Sequence, residues 1–229
     1  MNSQWIDIKS PDGAYGAYLS LPPAGKGPGI VLFEEIFGVN RHIRAVADQY
    51  TLDGFVVLAP DVFWRAGARL EFGYEGEDRE RAVANMKSLD PKKAAEDIKT
   101  TVAALRARPE VAGKVAALGY CMGGRLAYIA AATAGVDAAV SFYGGAIHDQ
   151  LERVPSIKCP MQFHYGGKDQ AIPLEAVEKV KAAFKGKNAE FHIYPAGHGF
   201  NCWDRSAYHA PSAALAHGRA LEFLVRNLY

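Results

Sequence analysis

The 229 residues include 26 Lys and Arg against 25 Asp and Glu, a formal net charge of +1, with 49% hydrophobic and 22% charged residues. So even a balance excludes the basic footprint of a nucleic-acid binder and any strong pull toward an anionic membrane surface. The composition is that of a globular chain, and its length suits one domain over residues 1–229.

The chain opens as a hairpin: 5–9 and 15–19 alternate apolar and polar residues around Pro11-Asp12-Gly13. Apolar runs at 29–33 and 55–59 read as buried strands. Between them Ile43, Val46 and Tyr50 recur at helical spacing, and Asp53-Gly54 ends that helix. The charge-dense run 71–81 reads as a solvated helix face. Asp90-Pro91 places a cap and a first-turn proline before Ile98, Val102 and Leu105. Then come a strand at 115–119, a small-residue helix from 122 to about 134, and strands at 138–142 and 161–165. Pro173 opens a helix carrying Val177, Val180 and Phe184 on one face. A strand at 190–194 and a helix marked by Leu221, Leu224 and Leu228 close the chain. Strands and helices alternating in this way predict an α/β fold with a mostly parallel sheet and helices on both faces. Ligands of such sheets sit beyond the carboxyl ends of the strands, here just after Phe33, Gly119, Tyr165 and Tyr194.

Apolar runs stop within a few residues, far below the roughly 18 that a membrane span requires. The start, Met1-Asn2-Ser3-Gln4-Trp5, lacks a basic region followed by an apolar stretch, so no secretory signal is expected. Three cysteines form neither a disulfide framework nor a C-x-x-C pair, which predicts a reducing, cytoplasmic setting. The histidines show no H-E-x-x-H pairing, so no metal site is expected.

Gly119-Tyr120-Cys121-Met122-Gly123-Gly124 lies between a predicted strand and helix, in the form of a G-x-S-x-G nucleophile elbow with Cys in the Ser position. A nucleophile on so sharp a turn needs glycines beside it. The helix start below it offers N–H groups and a positive dipole end, which favour a thiolate and an oxyanion. By itself the pattern fits a structural cysteine in a tight turn equally well. Two further loops shift the balance: Gly166-Gly167-Lys168-Asp169 follows one strand and Ala196-Gly197-His198-Gly199-Phe200 the next. Nucleophile, acid and histidine then stand in the chain order of a triad on this fold. In that reading His198 shuttles the thiol proton and Asp169 orients the imidazole. The oxyanion donors are the Met122 amide and, from the loop after residues 29–33, that of Ile36.

At these residues the chain resembles the dienelactone hydrolase (carboxymethylenebutenolidase) family of the α/β-hydrolase superfamily. Glu35-Ile36-Phe37-Gly38-Val39-Asn40, Ala59-Pro60-Asp61, the elbow, Tyr165-Gly166-Gly167-Lys168-Asp169 and Ala196-Gly197-His198-Gly199-Phe200 carry the likeness in the family's order. The resemblance implies a monomeric α/β-hydrolase that opens small unsaturated lactones through a cysteinyl ester, with no cofactor. It puts the triad on Cys121, Asp169 and His198, an active-site glutamate on Glu35, and a substrate-carboxylate arginine on Arg81, with Arg79 the alternative in the same segment. A carboxylate at Glu35 near the thiol would disfavour its anion by like-charge repulsion. The family's second arginine lies four residues after the histidine; here that residue is Cys202, and Arg205 is the nearest substitute. Phe37, Trp64, Tyr143 and Trp203 are candidates for an apolar pocket lining, while Cys159, before Pro160 at a strand start, reads as structural. The expected activity is hydrolysis of a small anionic lactone. The alternatives are a broad carboxylesterase of the same fold and a redox-sensing protein using Cys121.

Overall fold

The structure, a computed structural model, describes residues 2–229. The chain forms two compact units, residues 1–115 and 116–229.

In the first unit, β1 (Asn2–Ser10) and β2 (Gly13–Leu21) form the predicted hairpin, longer at both ends than the alternation alone indicated. Strand β2 runs antiparallel to β4 (Val56–Pro60), which pairs in parallel with β3 (Gly27–Phe33). Both β3 and β4 are buried along their whole length, the state that an uninterrupted apolar run requires. Alternation along β2 sends its side chains to two layers. The Tyr15 hydroxyl bonds to Thr101 and to the Asp97 carbonyl on α3 (Pro91–Arg106). Tyr18 and Ser20, on the opposite face, bond to Asp48 on α1 (Arg41–Leu52). Asn40 caps α1 through the Ile43 amide, and Asp90 caps α3 through those of Lys92 and Lys93. The charge-dense run 71–81 enters a helix only from Gly76, α2 (Gly76–Ser88), in which only Ala82 is buried, as a solvated helix should be; residues 71–75 precede it without helix.

In the second unit, β5 (Val111–Tyr120, entering from the first unit), β6 (Ala138–Phe142), β7 (Met161–Gly166) and β8 (Ala189–Tyr194) pair in parallel and in sequence order. Here too the strands have two covered faces. Phe163 packs edge-on against Phe184, which ends α5 (Leu174–Ala183), with ring centroids 5.1 Å apart. Its neighbour Gln162 points the other way and donates to the Arg219 carbonyl of α6 (Ala210–Leu228). Helix α4 (Met122–Thr133) starts directly after β5. Tyr120, Tyr128, Phe142, Phe163 and Tyr165 are fully buried, each contributing roughly 1.5–3 kcal/mol of transfer free energy. Among the described strands β2 alone runs opposite to its neighbours, β1 and β4, so the architecture is the expected mostly parallel α/β one with an N-terminal hairpin. Among the described residues no helix is long and apolar enough to cross a membrane.

Candidate active site

Cys121 occupies the turn between β5 and α4 with φ +55° and ψ −117°, a conformation that costs a non-glycine residue about 1–3 kcal/mol. The surroundings enforce it. A Cβ on Gly119 would strike the Gly123 carbonyl, and one on Gly124 would come within 2.7 Å of the Phe142 carbonyl. The Cys121 amide donates to that same carbonyl at 3.0 Å, tying the turn to β6. The Cys121 carbonyl accepts from the Gly124 and Arg125 amides, so α4 begins immediately. Met122 is thus the first residue of the helix, and its N–H has no acceptor within the helix.

Two further strand ends bring the partners to the thiol. His198 Nε2 lies 3.1 Å from Cys121 Sγ, and His198 Nδ1 lies 2.7 Å from Asp169 Oδ2. Their two loops are stitched by the Gly167 amide on the Tyr194 carbonyl and the Lys168 amide on the Ala196 carbonyl, at 2.7 and 2.9 Å. Gly166 makes this approach possible, since any Cβ there would collide with the Ala196 carbonyl. Asp169 Oδ1 accepts the Ala171 and Ile172 amides at 2.8 and 3.1 Å, which locks the carboxylate in place with its side chain wholly buried. Burial disfavours a charged imidazole at His198, but hydrogen bonds to Asp169 and Cys121 outweigh it and carry the pKa up to about 10. Both ring nitrogens then donate at neutral pH.

Tyr143, buried at a φ of +37°, sets its ring edge-on to His198 at 5.2 Å and to Phe200 at 5.3 Å. It braces the imidazole from the side, a role that no spacing rule reveals. The Tyr143 amide donates to the carbonyl of His164, whose own ring is buried and held neutral, well below its ordinary pKa, by desolvation. Gln162 turns its amide nitrogen to Glu190, so its oxygen accepts from His164 Nε2. His164 Nδ1 therefore accepts from the Tyr194 hydroxyl, at the end of β8.

After His198, the Cys202, Arg205 and Tyr208 amides each bond back three residues, and the His209 amide closes the loop on the Phe200 carbonyl. Cys202 is fully buried in this coil. Arg205 instead returns toward the histidine: its guanidinium fills the space where Gly199, at φ +77°, would carry a Cβ. Trp203 is 40% exposed. Cys159 is half-buried, and desolvation pushes its thiol up to about 11.

The remaining candidates lie in the first unit. Glu35, Ile36 and Phe37 are buried, and Phe37 meets Tyr74 edge-on at 4.7 Å. Gly38, at φ +85°, leaves no space for a Cβ beside the Leu70 carbonyl. Arg81 and Arg79 are both exposed on α2; Arg81 bonds to Asp78 at 3.3 Å and sits over the Phe72 ring. Trp64 stacks on Tyr15 and donates its indole N–H to Asp97 at 3.0 Å, which ties it to the hairpin and α3. Glu34, which no motif marks, is fully buried. Among the described residues no group of His, Cys, Asp and Glu could hold a metal ion.

The sequence model of the dienelactone hydrolase family matches residues 15–228. A carboxymethylenebutenolidase of Pseudomonas sp. (strain P51) is 36% identical over 223 residues, covering 96% of this chain and 93% of that one. A crystal structure of a candidate dienelactone hydrolase from Klebsiella pneumoniae superposes with a TM-score of 0.88 at 26% identity, covering 97% and 98% of the two chains. The Pyrococcus furiosus esterase Pf2001, at 18% identity over 100% of this chain and 94% of its own, shares the fold with a TM-score of 0.75.

Proposed function

The chain belongs to the dienelactone hydrolase family and is a lactone or ester hydrolase; we propose that it opens a small, anionic, unsaturated lactone through a cysteinyl acyl-enzyme. The observation that carries this reading is the continuous hydrogen-bonded line from Cys121 Sγ through His198 to Asp169, at 3.1 and 2.7 Å. Sγ, its proton held on His198 Nε2, attacks the lactone carbonyl carbon. The oxyanion is met by the Met122 amide and, on the family's pattern, by that of Ile36. Collapse breaks the ring C–O bond, and His198 delivers its proton to the departing oxygen. The neutral imidazole then takes a proton from water, the hydroxide attacks the thioester, and sulfur leaves with the carboxylic acid formed. Asp169 holds the ring in the one orientation that serves both transfers. Glu35 takes the place of the family's active-site glutamate.

The anionic preference rests on Arg205, folded back against Gly199, in place of the family's second arginine, with Arg81 as the other carboxylate-holding arginine on the family's pattern. A broad carboxylesterase is the second reading, favoured by the burial of Cys202 at the position where the family carries an arginine. A panel of one dienelactone and several neutral aryl esters, assayed with wild type and Cys121→Ala, tests both. Lactone turnover that Cys121→Ala abolishes supports the covalent route, whereas activity within tenfold of wild type refutes it. Equal or better turnover of neutral esters replaces the lactonase reading with the esterase one. Cys121→Ser should keep substrate binding while losing most turnover, because a hydroxyl is a far weaker nucleophile at its free pKa.

A further inference from the structure

Glu34 directly follows β3, and its carboxyl is fully buried. Oε1 accepts the Val62 amide at 2.8 Å, while Oε2 is buried without a hydrogen-bond partner. The turn after β4 holds a second buried carboxyl, that of Asp61, which accepts the Phe63 amide at 3.2 Å and the Arg69 amide at 2.6 Å. The charged groups acting on Glu34 are Asp61 and Glu71; burial raises the Asp61 carboxyl too, while the Arg69 and Phe63 amides and the Arg69 guanidinium, which lies over the Trp5 ring, work to lower it. Two buried carboxyls close enough to act on each other cannot both ionise without cost. Asp61 has two amide donors to support a charge, whereas Glu34 has one donor and an oxygen with none. The proton therefore belongs on Glu34, consistent with a pKa raised well above its ordinary value by burial and by Asp61.

Glu34 is joined in sequence to Glu35 and Ile36. The far end of that segment is pinned where the Phe72 amide donates to the Phe37 carbonyl at 3.1 Å. The near end is held where Glu34 Oε1 accepts the Val62 amide. We propose that Glu34 is a positioning residue: as a buried neutral acid it ties the segment bearing Glu35 and Ile36 to the turn after β4. This rests on the active-site roles given above to Glu35 and Ile36. Ionisation of Glu34 would place a second anion beside Asp61 and loosen the segment, so the anchor fails on the alkaline side.

The test compares wild type, Glu34→Ala and Glu34→Gln. Glu34→Ala removes the acceptor for Val62 and should lower kcat about tenfold or more with KM little changed. Glu34→Gln keeps a neutral acceptor of the same shape and should restore kcat at pH 7. The second readout needs no substrate. A carboxyl that is protonated when folded and ionised when unfolded weakens the wild-type fold about tenfold in unfolding equilibrium per pH unit above roughly 4.5. Denaturant titrations at several pH values should show this slope in wild type minus Glu34→Gln. A flat difference overturns the proposal, as does a Glu34→Gln kcat as low as that of Glu34→Ala. If instead wild-type hydrolysis survives Cys121→Ala, the proposed mechanism fails, while the stability comparison still judges the protonation of Glu34.

Discussion

Asp169→Asn should cost about 10³–10⁴ in kcat, and the hydrogen bonds around Asp169 say why. An asparagine there has two orientations. In one, its oxygen keeps the Ala171 and Ile172 amides and its NH₂ faces His198 Nδ1. In the other, the oxygen faces His198 and the NH₂ is pushed against two backbone N–H donors. The second orientation leaves those two buried donors unpaired, at about 1–3 kcal/mol each, so the first prevails by roughly 2–6 kcal/mol. An NH₂ facing Nδ1 forces the proton of the neutral imidazole onto Nε2, and the ring can no longer accept a proton from sulfur or water. The bond to Asp169 is also the larger of the influences that raise the His198 pKa, so the ring should lose its charge well below about 10. Steady-state kinetics and an NMR titration of the His198 ring check the two consequences. Turnover within tenfold of wild type, or a ring still titrating near 10, would refute the reasoning.

Arg205→Ala should weaken an anionic lactone by about ten- to a hundredfold, the equivalent of 1.5–3 kcal/mol for a charge-assisted bond, and spare neutral esters. Arg81→Ala on the same panel measures the other arginine, and an unchanged anionic-to-neutral ratio in both variants removes the case for carboxylate selection. Gly199→Ala, which puts a Cβ into the Arg205 guanidinium at φ +77°, should reproduce the Arg205→Ala selectivity and lower stability by about 1–2 kcal/mol; a melting curve and the same substrate ratio decide it. His198 should also mark the pH dependence of stability. Its folded pKa lies above the ordinary 6.5, so its contribution is whole below that value and lost as pH rises through about 10. Melting temperatures from pH 6 to 10 should therefore fall more steeply in wild type than in His198→Ala, and parallel curves would contradict the assignment.

Local rules carried much of this protein. Continuous apolar runs marked β3 and β4, Asp90-Pro91 marked the start of α3, and glycines flanking Cys121 marked the sharp turn, because each depends on residues a few positions apart. The order of Cys121, Asp169 and His198 after β5, β7 and β8 was equally legible, since parallel strands deliver their carboxyl ends to one side. What no local pattern held was the environment of each side chain. Glu34 and Glu35 look like two loop carboxylates, yet both are buried, and only the path of the turn after β4 decides that Glu34 meets Val62 and Asp61. Tyr143 braces His198 because a backbone at positive φ turns its ring toward the imidazole. Cys202 is buried while Arg205 returns over Gly199 because three successive turns coil that loop. Backbone propensity acts between neighbours and survives in the linear order of residues. Desolvation and charge–charge energy depend on distances that exist only once remote segments are packed together.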